Sequence, residues 1–223
     1  MKTSACAIFG SVLLTFGAIP TSAGIIYDNS LNYRDAVYYP GNGSEVGDEI
    51  FLSGGPNISF NEFAFETFVG ANASGNESVR IRFLLNDGPE VSPGAFAPQT
   101  QLYDSGDIPL GSDFQTTTIS GINVTLPPGV NHFTWTADFS GVDAGEQAGL
   151  PIYHPPTVGD SYTDFWRMVN GAWETALLPE TPASFAARIS SVGTVPDTGP
   201  TALLGLIAAA AMFVLRRRLD IVE

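Results

Sequence analysis

The stretch His132-Phe133-Thr134-Trp135-Thr136-Ala137-Asp138-Phe139 alternates without a break, with Phe133, Trp135, Ala137 and Phe139 on one side and His132, Thr134, Thr136 and Asp138 on the other. A helix would scatter these apolar residues around its axis, whereas an extended chain sends successive side chains to opposite faces. Val79, Ile81, Phe83 and Leu85 repeat the pattern against Arg80 and Arg82. Both segments predict strands with one buried face. Between Ile58 and Val69 the parity slips: Ile58 and Phe60 hold one phase, Phe63 and Phe65 the other. A β-bulge near Asn61-Glu62 repairs the mismatch, because one extra residue returns the apolar side chains to the same face.

Turn-forming clusters separate these runs: Pro40-Gly41-Asn42-Gly43, Ser53-Gly54-Gly55-Pro56, Asn86-Asp87-Gly88-Pro89 and Leu126-Pro127-Pro128-Gly129. Further strands are predicted at Gly24–Tyr27, Glu49–Leu52, Gln101–Tyr103, Thr116–Leu126, Leu150–Tyr153, Asp164–Met168 and Ala183–Val192. About ten strands with no helical periodicity among them predict an all-β body, an antiparallel β-sandwich of jelly-roll-like form.

Composition agrees with one turn-rich body. The chain has 223 residues, 44% hydrophobic and 14% charged, with 24 glycines and 16 prolines. Its net charge of −14 would repel a phosphate backbone, which excludes nucleic acid as a partner. Between Gly24 and Thr194 five arginines face twenty acidic residues, a net of −15. The single cysteine, Cys6, lies near the N-terminus, so the body has neither thiol nor disulfide.

The two ends follow a different logic. Residues 1–23 carry Lys2, an apolar run from Ala7 to Ile19, and then Pro20-Thr21-Ser22-Ala23, the layout of a secretory signal peptide cleaved by signal peptidase between Ala23 and Gly24. At the other end Thr201 to Leu215 is continuously apolar and is followed by Arg216-Arg217-Arg218. Fifteen helical residues span roughly 23 Å against a hydrocarbon core of roughly 30 Å, so this is a short single transmembrane helix that leans on its flanks. The arginines read as a stop-transfer signal that keeps the C-terminus cytoplasmic and the rest exported. The chain thus divides into a signal peptide (1–23), a sandwich ectodomain (24–192), and a tail of linker, motif, helix and basic cluster (193–223).

Immediately before the apolar run stands Val195-Pro196-Asp197-Thr198-Gly199-Pro200. Pro196 blocks helix formation before it, and Gly199-Pro200 keep the peptide extended just above the bilayer. Motif, helix and basic cluster together resemble the sorting tail of bacterial PEP-CTERM proteins, more narrowly the VPDSG variant, with Thr198 where serine is usual. The resemblance implies recognition of Val195, Pro196, Asp197, Thr198 and Gly199 by an integral-membrane exosortase. Leu219 to Glu223 extend beyond the point where such tails commonly stop. A sortase signal of the form Leu-Pro-x-Thr-Gly differs by Val195 and leaves several residues before its helix, whereas here the apolar run begins two residues after Gly199.

The body also looks like a recurrent ectodomain of PEP-CTERM proteins, through Tyr103-Asp104-Ser105-Gly106, Phe133-Thr134-Trp135-Thr136, Phe139-Ser140-Gly141, Ala148-Gly149-Leu150, the segment Tyr153 to Gly159, Tyr162, and Asp164-Phe165-Trp166. That resemblance implies fold and sorting and carries no activity.

Candidate sites in the body are few. Only two histidines, His132 and His154, are present and no cysteine follows Gly24, which argues against nucleophilic catalysis and against zinc. Two facing carboxylates would be needed for a glycoside hydrolase. Asp138, Asp143 and Glu146, in a glycine-rich stretch, offer the hard oxygens calcium takes, with a solvated acidic loop as the plain alternative. Tyr162, Trp166 and Trp173 cluster near the end of the body and are candidates for stacking on sugar rings, with burial in the core as the alternative. Sequons at Asn42, Asn57, Asn72, Asn76 and Asn123 read as polar turn and strand residues. The sequence therefore leads to a non-enzymatic secreted or cell-surface protein with a structural or adhesive role in the envelope or extracellular matrix, transiently anchored in the inner membrane. A carbohydrate-binding sandwich acting on exopolysaccharide is the alternative, and a glycoside hydrolase the third reading.

Overall fold

The computed structural model describes residues 24–178 and 182–191. The signal peptide through Ala23, the motif Val195–Gly199, the apolar run and Arg216–Arg218 lie outside the described residues.

Among the described residues every regular element is a strand. In chain order these are β1 (Ile25–Asp28), β2 (Tyr33–Tyr38), β3 (Glu45–Phe51), β4 (Ser59–Val69), β5 (Ser78–Leu84), β6 (Glu90–Ser92), β7 (Ala95–Phe96) and β8 (Gln101–Pro109). They continue with β9 (Asp113–Thr125), β10 (His132–Ser140), β11 (Ala148–Tyr153), β12 (Asp160–Ser161), β13 (Phe165–Val169), β14 (Ala172–Ala176), β15 (Ser184–Phe185) and β16 (Ala187–Ser191).

These strands form two seven-stranded sheets and one small hairpin, β6–β7, with every pairing antiparallel. Sheet I follows the order β1-β16-β4-β11-β15, with β9 against β4 and β2 against β11. Sheet II runs β14-β13-β3-β10-β5-β8, with β12 against β3. Their inner faces meet in one core, an arrangement consistent with a β-sandwich. Phe63 of β4 packs edge-on against Phe83 and Trp135 of sheet II with ring centroids 5.0 and 5.3 Å apart, and Phe60 stacks on Phe133 at 5.6 Å. Such pairs add about 0.5–1.5 kcal/mol each beyond the burial of their area.

The alternation lands where the sequence puts it except at Leu85, which follows β5 and is only part-buried, at the point where the pairing with β8 slips between Phe83 and Leu84 and Leu84 is buried as well. Phe133, Trp135, Ala137 and Phe139 are fully buried, as are Val79, Ile81 and Phe83. Against β16, Ser190 pairs with Glu62 and Ser191 with Phe60, so Asn61 is the extra residue of a bulge on β4, whereas against β9 the partner jumps from Val124 to Ser120 and the extra residues lie on β9; Phe60, Phe63 and Phe65 all reach the core. All four turn clusters fall between strands.

Three features go beyond the sequence reading. The middle of the polar face of β10 is buried too, since Thr134 and Thr136 have no exposure, while His132 and Asp138 at its ends stay partly exposed. Strand β2 carries no clean alternation and is recruited by pairing with β11. Strands β13 and β14 form a hairpin in which Val169 pairs with Ala172, leaving Asn170-Gly171 as a two-residue turn with both φ angles positive (51° and 80°). Asn-Gly is the strongest short-range hairpin signal, and it stands in the sequence at this point.

The ends of the body meet at one corner, where the Ser191 N–H donates to the Gly24 carbonyl at 2.8 Å.

Candidate functional site

Alternation along β3 sends Val46, Asp48 and Ile50 inward and Glu45, Gly47 and Glu49 to the outer face of sheet II. Both glutamates nonetheless end up buried. Glu45 accepts a hydrogen bond from Thr136 Oγ1 at 2.5 Å and pairs with Arg82 at 2.7 Å. Arg82 also reaches Asp138 at 3.4 Å, and Arg80 grips Asp104 through two hydrogen bonds of 2.6 and 2.8 Å. Burial raises the Glu45 proton affinity, against the opposing pull of Thr136 and Arg82. The arginines that alternate with the core residues of β5 thus tie that strand to β3, β8 and β10 across the solvent side.

Farther along the same face the chemistry changes. Glu49 is 8% exposed, and its Oε2 accepts from Asn86 Nδ2 at 3.1 Å and Trp166 Nε1 at 3.4 Å. Asn86 also donates to Thr134 Oγ1 and to the Phe96 carbonyl, which fastens the β6–β7 hairpin over this end of the sheet. The result is a cup of about 320 Å³ between the hairpin, the segment before β13 and the β13–β14 hairpin, lined by Glu49, Pro93, Gly94, Tyr162, Asp164 and Trp166, among others. Burial pushes the Glu49 carboxyl up to about 7, with the Asp164 charge adding to the rise and the Trp166 N–H opposing it. His132 Nε2 lies 3.9 Å from Glu49 Oε1, and burial lowers the imidazole's proton affinity, so at neutral pH the pair is not a full ion pair.

Tyr162 and Trp166 are brought together at the cup. Tyr162 is 50% exposed and presents its ring, whereas Trp166 is 3% exposed and serves as a wall whose indole N–H holds Glu49. Trp173, on β14 opposite Met168, is half-buried and does not line the cup. Asp138 is engaged by Arg82, while Asp143 and Glu146 close a local turn in which the Asp143 N–H donates to Glu146 Oε2 at 2.8 Å. Among the described residues no group of three or more His, Cys, Asp or Glu side chains is placed to hold a metal ion.

Glu49 and Asp164 are the members of the site that the sequence reading did not single out. They are 115 residues apart, and the one local signal was a carboxylate inside a predicted strand at Glu49. A cup with one exposed aromatic ring, two carboxylates and backbone from a glycine-bearing hairpin suits a small polyhydroxylated ligand, whose C–H faces stack and whose hydroxyls donate to carboxylates. No protein family, curated protein or solved structure matches the chain.

Proposed function

We propose that this chain is an exported, non-enzymatic protein of the cell envelope or extracellular matrix, whose jelly-roll-like ectodomain binds a saccharide unit of exopolysaccharide in the Tyr162–Trp166 cup. The observation that carries the reading is the cup itself: an exposed tyrosine ring beside Glu49 and Asp164 in a partly enclosed volume. A jelly-roll form is supported by the path of the chain, because β3, β4 and β5, and then β8, β9, β10 and β11, pass alternately between the two sheets.

Export and sorting rest on the sequence. The leader with its Ala23/Gly24 junction, the motif Val195–Gly199, and the apolar run closed by Arg216–Arg218 support delivery through signal peptidase, transient insertion in the inner membrane with the C-terminus cytoplasmic, and processing by an exosortase-type enzyme. The meeting of Gly24 and Ser191 at one corner supports it further, since the two ends of the described body, to which leader and tail attach, lie side by side. No resident cofactor is required, and calcium at Asp138, Asp143 and Glu146 is not part of this proposal.

One observation favours a second reading. Glu49, with a proton affinity raised to about 7 beside Asp164, has the character of a general acid in glycoside hydrolysis. Its engagement by Asn86 and Trp166 makes it a held structural group first.

The test is a glycan-array screen of the full chain alongside Tyr162→Ala, with a reducing-sugar assay on every bound glycan. Loss in the variant of at least one short glycan bound by the parent, with no sugar released, supports the proposal; release of reducing ends moves the protein to the hydrolases. Intact-mass analysis of the native protein reads the processing, and a species still ending at Glu223 would reject it.

A further inference from the structure

The outer face of sheet I is chemically unlike that of sheet II. In place of ion pairs it carries a connected set of aromatic rings: Tyr39 against Phe68 at 6.2 Å, Phe68 against Phe114 at 4.8 Å, Phe114 against Tyr33 at 5.8 Å, and Tyr33 against Tyr153 at 5.3 Å. Register explains the convergence. Phe68 pairs with Phe114 between β4 and β9, and Tyr153 pairs with Tyr33 between β11 and β2. Phe114 is 49% exposed, Tyr39 42% and Tyr33 38%.

Polar groups stand among the rings. Glu66, paired with Thr116, sits on the same face of β4, and its Oε2 accepts from the Tyr153 hydroxyl at 2.7 Å. Tyr33, Phe114 and Tyr153 with Glu66, Gln115 and Thr116 enclose about 340 Å³. A second depression of about 200 Å³ shares Glu66 and Thr116 and extends the groove toward Arg188 and Ser30.

We propose that this face is a second binding site, a shallow platform for a neutral polysaccharide chain, with Tyr33 and Phe114 stacking on sugar rings and Glu66 and Thr116 taking their hydroxyls. Two arguments select this occupant. A protein-protein interface has a dry apolar centre and a polar rim. Here the hydrogen-bonding groups lie among the rings, the order that suits a ligand apolar on its faces and polar around its edges. Charge selects within the sugars: an ectodomain of net −15 repels uronate and sulfate polymers and anionic lipid surfaces, and leaves neutral glycans. This site shares no residue with the cup, lies on the opposite sheet, and would let one domain hold two glycan chains.

Affinity electrophoresis of the full-length chain in mild detergent tests it, with β-glucan, xyloglucan and galactomannan as neutral polymers and alginate as the polyanion. Expected is retardation by at least one neutral polymer and none by alginate. Affinity should fall about tenfold or more in the Tyr33→Ala/Phe114→Ala double variant, the usual scale for truncated aromatic anchors. Phe114→Tyr, which keeps a ring, should retain binding, and an unchanged thermal midpoint in each variant certifies the fold. Retardation lost in Tyr162→Ala but unchanged in the double variant would overturn this inference and leave the cup standing. Retardation by no neutral polymer, or stronger retardation by alginate, would also overturn it. So would a concentration-dependent dimer that the double variant abolishes, since the face would then be an interface between copies.

Discussion

Asp48 and Phe185 are joined across the core of the sandwich: Asp48 Oδ2 accepts the backbone N–H of Phe185 at 3.1 Å, while Oδ1 has no hydrogen-bond partner among the described residues. The bond links β3 of sheet II to β15 of sheet I. Phe185 thereby finds an acceptor for its N–H just before the chain steps across Ala186 from β15, paired with β11, to β16, paired with β4. A fully buried carboxylate with one bare oxygen is expensive to keep charged, and burial drives the Asp48 proton affinity well above the ordinary range.

Asp48 therefore sets a pH dependence of stability. The folded protein holds a proton that the unfolded chain releases near its ordinary value of 3.8, so the stabilisation is full below that value and is lost as pH rises toward the raised folded value. Asp48→Asn, which keeps an acceptor for Phe185 and removes the charge, should unfold at a higher temperature than the parent at neutral pH. Its midpoint should also fall less steeply between about pH 4 and pH 8. Thermal unfolding followed by circular dichroism across that range decides the matter; superimposable profiles would show that Asp48 does not titrate with folding.

Glu49 adds a second component of the same sign at a defined place. With its carboxyl raised from 4.5 to about 7, stability should decline through that interval by an amount on the order of 3 kcal/mol and level off above it. Glu49→Gln should remove this decline while Asp48→Asn leaves it in place. Urea titrations at pH steps across the interval measure it. Saccharide binding in the cup should follow the same titration if the carboxylate takes a sugar hydroxyl.

Gly149 of β11 faces the carbonyl of Tyr38, which an added Cβ would meet at 2.1 Å, with the Tyr38 carbonyl carbon and the Tyr39 ring at 3.0 Å. Because the obstacle is mainly backbone, Gly149→Ala should push β2 off β11 and cost about 1–3 kcal/mol or more. It should also weaken the platform on sheet I, since Tyr33 rides on β2. Equal stability and equal polysaccharide binding would contradict this.

Phe63 stands at the centre of the inter-sheet aromatic cluster, against Phe65, Phe83 and Trp135. Truncation by Phe63→Ala should destabilise by about 3–5 kcal/mol, because the surrounding rings relax only partly into the space. Denaturant unfolding reads the loss directly, and a change below about 1 kcal/mol would mean that the two sheets close over the gap.

Some of this molecule is a property of short windows of sequence. Alternation in β5 and β10, the slip of parity at Asn61, and the turn clusters between strands all arise because an extended chain turns each side chain opposite to its neighbours, a rule that needs no knowledge of distant residues. The Asn170-Gly171 hairpin belongs to the same class. Tertiary structure alone decided which polar face is covered. Thr134 and Glu49 sit at outward positions by parity, yet both are buried because Asn86, the β6–β7 hairpin and Trp166 close over them. It also decided the meeting of Glu49 with Asp164, of Tyr33 with Phe114, and of Asp48 with the Phe185 amide. Each joins residues separated by tens to more than a hundred positions, and pairing between sheet neighbours depends on how the whole core packs, which no local periodicity encodes.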